Sequence, residues 1–408
     1  MNNDFTAVVL GGDMNSYAVA RAFYEEYNIK TLLLGQAPIF PTSNSKIIEG
    51  HYYNNLLDDD VFINALNDLQ KLYPNKKKIL FGNTDYYVRL IIHNRERINK
   101  ISDSYIIPIV SEEKWQELFD KSTFYALCEK YDLPYPKCKV FDFTKDTAES
   151  FEVPFEYPIF IKASDTVEYF NYEFEGKQKG YKIKDHNHFK AVINSISSSG
   201  FKGKFVVQEY IEGNDESMYV YSAYVNRNHK VVAMSGGKIL MHDRTPKLIG
   251  NYNAIKGSTD KSLCEKLKKF LESIDFVGMC HFDVQFDEKR QDYVIFEMNI
   301  RQGRSNYYTC AGGMNLARLI VNDYIKNIDE EPYIIDGDYT VSVVPRFCLN
   351  YALKKSGSKP VNKENFYRFG MASYDKNIKR LVHQLIWDYN TMNNFRKYNI
   401  PAIKNQPK

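Results

Sequence analysis

The sequence has few cysteines, no long apolar run and no excess of either charge. Its six cysteines are scattered without a CxxC pair, which favours reduced, structural thiols over metal or nucleophile roles. No apolar stretch approaches the roughly 20 residues of a membrane helix. The 54 basic and 51 acidic residues nearly cancel, which argues against a nucleic-acid-binding protein. Residues 1–4 do not lead into a basic segment and an apolar core, so we expect no secretory signal and a cytoplasmic protein.

The composition, with 44% hydrophobic and 26% charged residues, is that of a globular protein. A chain of 408 residues is expected to split into two or three lobes. The first hundred residues alternate short apolar strands with helical periodicity, and we predict strands at 7–10, 31–34 and 79–81 and helices at 16–26 and 61–72. This alternation predicts a parallel sheet with ligands beyond the carboxyl ends of its strands.

Two lysines stand at unusual places in the next segment. Lys121 follows Asp120 at the start of a predicted helix, where the dipole disfavours a cation, so it is expected to meet an anion. Lys162 ends the apolar strand at 158–162. It is either a surface lysine with an extended stem or a point charge directed at nucleotide phosphates.

Two stretches of this strand-rich region have the features of a nucleotide pocket. Residues 163–181 are predicted to be a flexible flap over a ligand or, alternatively, a plain hairpin loop. Residues 208–213 leave a strand and enter a turn, where backbone groups can recognise an adenine edge. Asp215 or Glu216 would then accept hydrogen bonds from a ribose.

The most informative pattern is an acidic hairpin with strands at 280–286 and 293–299. If it pairs symmetrically about Arg290, Asp283 lies opposite Glu297, and Asn299 adds an oxygen on the same face. Facing carboxylates repel unless a cation lies between them, and magnesium binds one or two carboxylates together with phosphate oxygens. The alternative is a solvated face, but apolar residues flank the pair.

Two arginines and a serine follow this hairpin directly. Arg301, Arg304 and Ser305 lie within a seven-residue stretch that begins at Asn299. A planar guanidinium binds two oxygens at once, so these residues suit a substrate carboxylate or a transferring phosphoryl group. Together with the acidic pair they indicate metal-dependent phosphate chemistry.

Taken in order, these features resemble the ATP-grasp superfamily of carboxylate–amine ligases, and the metal segment Phe296-Glu297-Met298-Asn299-Ile300-Arg301 is its most specific part. Further segments are similar to the D-aspartate ligases of Gram-positive bacteria: Gly12-Asp13-Met14-Asn15, Tyr131-Asp132-Leu133-Pro134-Tyr135-Pro136-Lys137, Val167-Glu168-Tyr169, Phe174-Glu175-Gly176 and Arg301-Gln302-Gly303-Arg304-Ser305. The resemblance extends from about Val9 to the region of Arg380.

The resemblance implies an α/β protein in which an N-terminal parallel-sheet (pre-ATP-grasp) domain precedes a two-lobed α+β ATP-grasp fold. We expect four parts: 1–108 as an N-terminal α/β substrate domain, 109–211 as a small lobe with the flap, 212–335 as a large lobe with the metal hairpin, and 336–408 as a C-terminal extension. The tail beyond Thr391, rich in Asn and Lys, is expected to be poorly ordered.

The resemblance also assigns roles. Lys121 and Lys162 would contact the ATP phosphates. Gln208, Glu209 and Ile211 would hold adenine, with Asp215 and Glu216 at the ribose. Asp283, Glu297 and Asn299 would bind Mg²⁺, with Mn²⁺ as a substitute, and Arg301 would steady an acyl-phosphate. The substrate-binding residues would be Gly12, Asp13, Asn15, Arg301, Arg304 and Ser305.

The reaction implied is formation of an amide through an acyl-phosphate. It would join a small amino acid, D-aspartate by resemblance, to the lysine side-chain amine of a UDP-linked peptidoglycan precursor. Alternatives are a ligase for another small amino acid or a dipeptide product, and a non-catalytic nucleotide-binding protein. A nicotinamide-dependent dehydrogenase is disfavoured because residues 11–14 lack the GxGxxG spacing. The oligomeric state stays open.

Overall fold

The computed structural model describes residues 4–248, 250–303, 307–370 and 372–404. By its internal contacts the chain divides into two compact units. The first unit contains Met1–Glu112, Asp215–His281 and Asn299–Lys408, and the second contains Glu113–Asn214 and Phe282–Met298. The finer division into four domains stays a prediction. Within the described ranges, no helix has both the length and the apolar character that crossing a membrane requires.

The first unit opens with a five-stranded parallel sheet in the order β3-β2-β1-β4-β5. Its strands are β1 (Phe5–Leu10), β2 (Thr31–Gly35), β3 (Ile48–Tyr52), β4 (Lys77–Gly82) and β5 (Tyr105–Ile106). The predicted strands are confirmed as β1, β2 and β4, the three inner strands, whose apolar runs are buried on both faces. Sequence patterns miss β3 because this edge strand has no apolar run: Ile48 is buried, and the residues after it are half-buried or exposed.

Four helices accompany this sheet: α1 (Met14–Tyr27), α2 (Asp59–Leu72), α3 (Asp85–His93) and α4 (Arg95–Ile101). The predicted helices at 16–26 and 61–72 are confirmed as α1 and α2. Side chains of Asp13 and Thr84 cap α1 and α3 by accepting backbone N–H groups. Because β1 and β4 are neighbours, residues 11–15 and 82–85 lie at the same edge of the sheet.

The second unit is built on an antiparallel sheet in the order β6-β9-β7-β8. Its strands are β6 (Cys138–Asp142), β7 (Ile159–Ala163), β8 (Gly180–Ile183) and β9 (Lys204–Glu209). Its helices are α5 (Glu112–Phe119), α6 (Lys121–Lys130), α7 (Thr166–Phe170) and α8 (His186–Ser198). One apolar core joins the sheet to α8 and includes Phe141, Ile161, Phe205, Phe189 and Ile193.

The stretch 163–181 is the connection of a hairpin, because β7 and β8 pair directly, and it contains the short helix α7. The carboxylate of Asp165 caps this helix by accepting the N–H groups of Val167 and Glu168. Tyr169 is buried, and its hydroxyl lies 2.7 Å from that of Tyr181 on β8. A role for this stretch as a flap stays a prediction.

A second, larger sheet follows the order β14-β13-β10-β11-β12-β16-β17, with β15 beside β11. The strands are β10 (Met218–Val225), β11 (Val231–His242), β12 (Tyr252–Gly257), β13 (Gly278–Asp287), β14 (Asp292–Asn299), β15 (Tyr333–Ile335), β16 (Thr340–Ser342) and β17 (Phe366–Arg368). β13 and β14 form the predicted hairpin, whose residues 282–298 belong to the second unit. Its turn is closed by the N–H of Gln291, which donates to the carbonyl of Asp287 at 2.8 Å.

The remaining helices are α9 (Lys261–Ser273), α10 (Tyr307–Ala311), α11 (Leu316–Val321), α12 (Arg346–Lys355), α13 (Ile378–Asn394) and α14 (Ile400–Lys404). Helix α9 buries Leu263, Cys264, Leu267, Phe270 and Leu271, which recur at helical spacing. The expectation of a poorly ordered tail is wrong up to Lys404, because α13 continues through a π-helical turn, Phe395–Asn399, into α14. Phe395 anchors this segment by packing against Cys348 and Leu349 of α12.

Candidate active site

Lys121 and Glu297 form an ion pair in the second unit. Lys121 is the first residue of α6 and is 5% exposed, and its Nζ lies 3.0 Å from Glu297 Oε1 on β14. The same Nζ donates to Thr166 Oγ1 at 3.2 Å. A lysine at this place in a helix was expected to meet an anion, and here that anion is the Glu297 carboxylate.

Lys162 turns its ammonium inward from β7. Its Nζ donates to the carbonyl of Phe296 and to the hydroxyl of Tyr125, both at 3.1 Å. The pKa of Lys162 is lowered to about 8, mainly by burial and then by the neighbouring Lys121, and this is after Glu297 and Asp283 have acted to raise it. The alternative of a surface lysine with its head in solvent is therefore excluded.

Tyr125 links this lysine to the predicted adenine segment. Its hydroxyl oxygen lies 2.8 Å from the carbonyl oxygen of Phe296 and 3.3 Å from Oε1 of Gln208, and its single hydrogen can be donated to either. Gln208 is 3% exposed at the end of β9. Sequence reasoning misses Tyr125, because a buried tyrosine on an amphipathic helix is indistinguishable from an ordinary core residue.

Glu209 and Ile211, the other residues predicted to hold adenine, lie with Gln208 in a segment that we call the hinge (residues 208–211), and both contact the acidic hairpin. Glu209 accepts from the backbone N–H of Lys137 at 2.6 Å and forms an ion pair with Arg290 in the turn. The carbonyl of Ile211 accepts from Nε2 of Gln285 at 3.4 Å. The structure therefore brings the hinge and the acidic hairpin together within the second unit.

Of the two residues predicted at the ribose, Asp215 lies in a short 3₁₀ turn, and its side chain lies outside the described part of the structure. Glu216 belongs to the first unit, where Oε1 accepts from the hydroxyls of Ser356 and Ser358 at 2.9 and 2.7 Å. Contact with a ribose would compete with these serines for the same carboxylate.

A buried polar cluster lies in the first unit at the carboxyl ends of β1 and β4. Asp13 caps α1 and accepts from Ser16, while Asn15 Nδ2 donates to the carbonyls of Asn83 and Gln302 at 2.9 and 3.1 Å. The Oδ1 atom of Asn15 is buried and, among the described residues, has no hydrogen-bond partner. Gly12 contributes its carbonyl, which accepts from Thr42.

Arg301 is held by a carboxylate that the sequence analysis does not assign. Its Nε lies 2.6 Å from Asp85 Oδ1, and its second terminal nitrogen donates to Oδ2 at 3.2 Å. This two-point contact fixes the plane of the guanidinium. The available signal was the position of Asp85 just after β4, in the same edge of the sheet as residues 11–15. Arg304 and Ser305 lie outside the described residues.

Comparison with known proteins identifies the family. No protein-family model matches the chain. It is, however, 32% identical over 417 residues to the D-aspartate ligase of Enterococcus faecium (strain Aus0004), with 97% of each chain covered. The chain belongs to the D-aspartate ligase family. The resemblance read from the sequence motifs is thereby confirmed, and this family member is an ATP-dependent ligase that forms C–N bonds.

Solved structures confirm the ATP-grasp fold of this D-aspartate ligase family member. The biotin carboxylase domain of a 2-oxoglutarate carboxylase from Hydrogenobacter thermophilus has a TM-score of 0.62 at 14% identity and covers 83% of this chain and 74% of that chain. An N5-carboxyaminoimidazole synthetase from Staphylococcus aureus gives 0.59 at 14% identity, covering 83% and 82%. An L-amino acid ligase from Bacillus licheniformis gives 0.54 at 11% identity, covering 79% and 75%.

The predicted metal ligands have the chemistry that magnesium requires. No cluster of three or more His, Cys, Asp or Glu suited to a metal occurs in the described ranges. Asp283, Glu297 and Asn299 offer two carboxylates and an amide oxygen, a set that leaves coordination positions for phosphate oxygens and water. In this structure the Glu297 charge is balanced by Lys121. The residues present therefore fit the ion.

Proposed function

We propose that the enzyme joins D-aspartate to the lysine side-chain amine of a UDP-linked peptidoglycan precursor, with hydrolysis of ATP to ADP and phosphate. The observation that carries this proposal is the 32% identity, over 97% of both chains, to an enzyme named D-aspartate ligase. The buried lysines and the acidic hairpin of the second unit supply charges of the kind that phosphoryl transfer needs.

In the first step, an oxygen of the D-aspartate carboxylate attacks the γ-phosphorus of ATP. A bond from that oxygen to phosphorus forms while the bond to the ADP oxygen breaks, which gives an acyl-phosphate. Lys121 and Lys162 would balance the phosphate charge, and their burial strengthens this interaction because little water competes for it. In the second step, the amine attacks the acyl carbon, expels phosphate and loses a proton.

The nucleotide would lie against the end of β9 and the residues that follow it, 208–216. Gln208, Glu209 and Ile211 would border adenine, and Asp215 or Glu216 would accept from the ribose. Because the side chain of Glu209 is already paired with Arg290, its part in adenine binding would come from its backbone groups.

Asp283, Glu297 and Asn299 would hold Mg²⁺, or Mn²⁺ as a substitute. When bound, the ion would neutralise phosphate oxygens and so ease the build-up of charge during transfer. Glu297 and Asn299 are two residues apart on β14, a spacing that places side chains on the same face of a strand.

The amino-acid substrate would bind in the polar cluster of the first unit. Arg301, oriented by Asp85, would steady the acyl-phosphate through its positive charge. Asn15 has a buried oxygen that can accept a hydrogen bond from a substrate amine. Gly12, Asp13, Arg304 and Ser305 complete the proposed substrate set.

The decisive experiment measures ADP release with D-aspartate, L-aspartate and other small amino acids, each with and without a UDP-linked pentapeptide. We expect the largest rate with D-aspartate plus pentapeptide, and a product heavier than the pentapeptide by one aspartyl group. A higher rate with another amino acid would support the ligase assignment and reject D-aspartate as the substrate. An absence of ADP release with every pair would leave the non-catalytic alternative.

A further inference from the structure

Helix α13 exposes most of its large apolar side chains and buries an arginine. Of the 17 residues of this helix, all of which the structure describes, Arg380 alone is buried. Six apolar residues, which we call the outer stripe, are 41–82% exposed: Ile378, Leu381, Val382, Leu385, Ile386 and Tyr389. Their spacing of three, four, seven and eight residues places them along one face of the helix.

The opposite face of α13 points inward and is largely polar, although Trp387 packs against an apolar cluster. Trp387, Asn390 and Asn394 line a cavity of about 220 Å³. Arg380 is paired with the buried Asp375, and Asp388 is paired with Arg368. A surface helix of a monomeric protein normally has the reverse arrangement, with its apolar face toward the core. The amphipathic pattern of α13 therefore suits a contact on its outer side.

The size and chemistry of the outer stripe suit a second copy of this chain. Its exposed apolar surface is on the order of 600 Å², as large as the largest patches of typical monomers and close to the roughly 800 Å² per partner of a standard interface. The stripe has no charged member, so a two-fold axis brings no like charges together. An anionic lipid surface fits less well, because Arg380 is fully buried and Lys379 is the one lysine or arginine that α13 exposes.

We infer that the protein forms a two-fold dimer in which the outer stripe of α13 packs against the outer stripe of a second copy. Leu385, the most exposed of its central residues, would lie near the axis. The inference does not depend on the proposed reaction, so it can fail while the ligase assignment holds.

Sedimentation velocity of the full-length protein at about 1–100 µM tests this assembly. We expect a species of twice 47.7 kDa, and a monomer for the double variant Leu385→Glu/Ile386→Glu. Leu72→Glu is the matched control, because Leu72 is also an exposed leucine, at 59%, and lies on α2 outside the stripe. This control is expected to sediment like the unchanged protein.

Two further measurements separate assembly from misfolding. Circular dichroism should show the same helix content for the double variant and the unchanged protein. Leu385→Cys should form a disulfide-linked dimer under mild oxidation that the unchanged protein does not form. The inference would be overturned if the unchanged protein were monomeric over the whole concentration range, or if the double variant still sedimented as a dimer. It would also be overturned by a monomer that binds anionic vesicles through the outer stripe.

Discussion

Lys121 Nζ lies 3.0 Å from Glu297 Oε1, so a lysine at the start of α6 neutralises a carboxylate of the acidic hairpin. Each of these groups has a proposed partner in a nucleotide complex, the lysine a phosphate and the carboxylate a magnesium ion. The pair therefore keeps both charges compensated before substrates bind, in a setting where an unpaired buried charge would be costly.

Glu297→Gln should reduce ADP formation by about 10²–10³-fold, the usual effect of removing one electrostatic contact to a transition state. The neutral amide keeps the shape of the side chain and loses the charge that would hold the ion. Steady-state assays of ADP release at saturating Mg²⁺ check this. Glu288→Gln, in the exposed turn of the same hairpin, is the control and should retain full activity. Activity of both variants close to that of the unchanged enzyme would reject Glu297 as a ligand.

The affinity for ATP should depend on the charge of Lys162. Because burial lowers its pKa from 10.5 to about 8, the free enzyme loses this positive charge as the pH rises above about 8. The unfolded chain binds the proton up to about 10.5, so the contribution of Lys162 to folding stability rises with pH over the same interval. Calorimetric titration with a non-hydrolysable ATP analogue should show that the enzyme binds the analogue more weakly as the pH rises above about 8.

Lys162→Arg offers the matching control for that pH dependence, since a guanidinium remains charged throughout this range. We expect the variant to bind the analogue with an affinity that changes little between pH of about 7 and 9.5. Lys204→Arg, at the exposed start of β9, should leave the original dependence in place. A dependence that persists in Lys162→Arg would assign it to another group.

Tyr125→Phe should weaken the framework around Lys162. The hydroxyl contacts Lys162, Gln208 and the carbonyl of Phe296, and its loss leaves buried polar atoms with fewer partners. Such a loss costs about 1–3 kcal/mol of unfolding free energy. Urea unfolding measures it, with Tyr135→Phe, whose ring stacks on Tyr125, as the comparison. Equal stability of the two variants would show that the hydroxyl network contributes little.

Asp85→Asn should raise the KM for the amino-acid substrate. The amide can accept only one of the two hydrogen bonds that now orient Arg301, so the guanidinium loses its fixed plane. We expect KM for the amino acid to rise about tenfold, which corresponds to roughly 1.4 kcal/mol, with a smaller change in KM for ATP. Asp103→Asn, an exposed residue of the same unit, is the control. An unchanged KM for the amino acid would contradict the positioning role.

Asp375→Asn should destabilise the first unit strongly. Asp375 and Arg380 are both fully buried with 2.9 Å between Oδ2 and Nε, and the carboxylate also accepts from Tyr17 and Ser45. Breaking a buried pair leaves one uncompensated charge and typically costs about 3–5 kcal/mol. Asp388→Asn, which breaks the more exposed pair with Arg368, should cost less than about 1 kcal/mol. Thermal unfolding of the two variants compares them directly.

Much of the framework could be predicted from the sequence because its signals are local. The inner strands β1, β2 and β4, helix α9 and the hairpin of β13 and β14 each have an apolar pattern within a few residues of one another. The edge strand β3, helix α7 and the helical tail have no such local pattern. β3 forms by pairing with β2, and the tail is held by residues distant in the chain. Phe395, for example, is buried by Cys348 and Leu349.

The sequence by itself determined the order of charged residues and the family to which the chain belongs. Only the tertiary structure decided what those charges contact. Arg301 meets Asp85 across 216 residues, and Lys162 meets the carbonyl of Phe296 across 134. The reason is physical: a strand or helix repeats over a few residues, whereas burial of an ammonium, and hence its pKa, depends on whichever segments the folded chain brings around it.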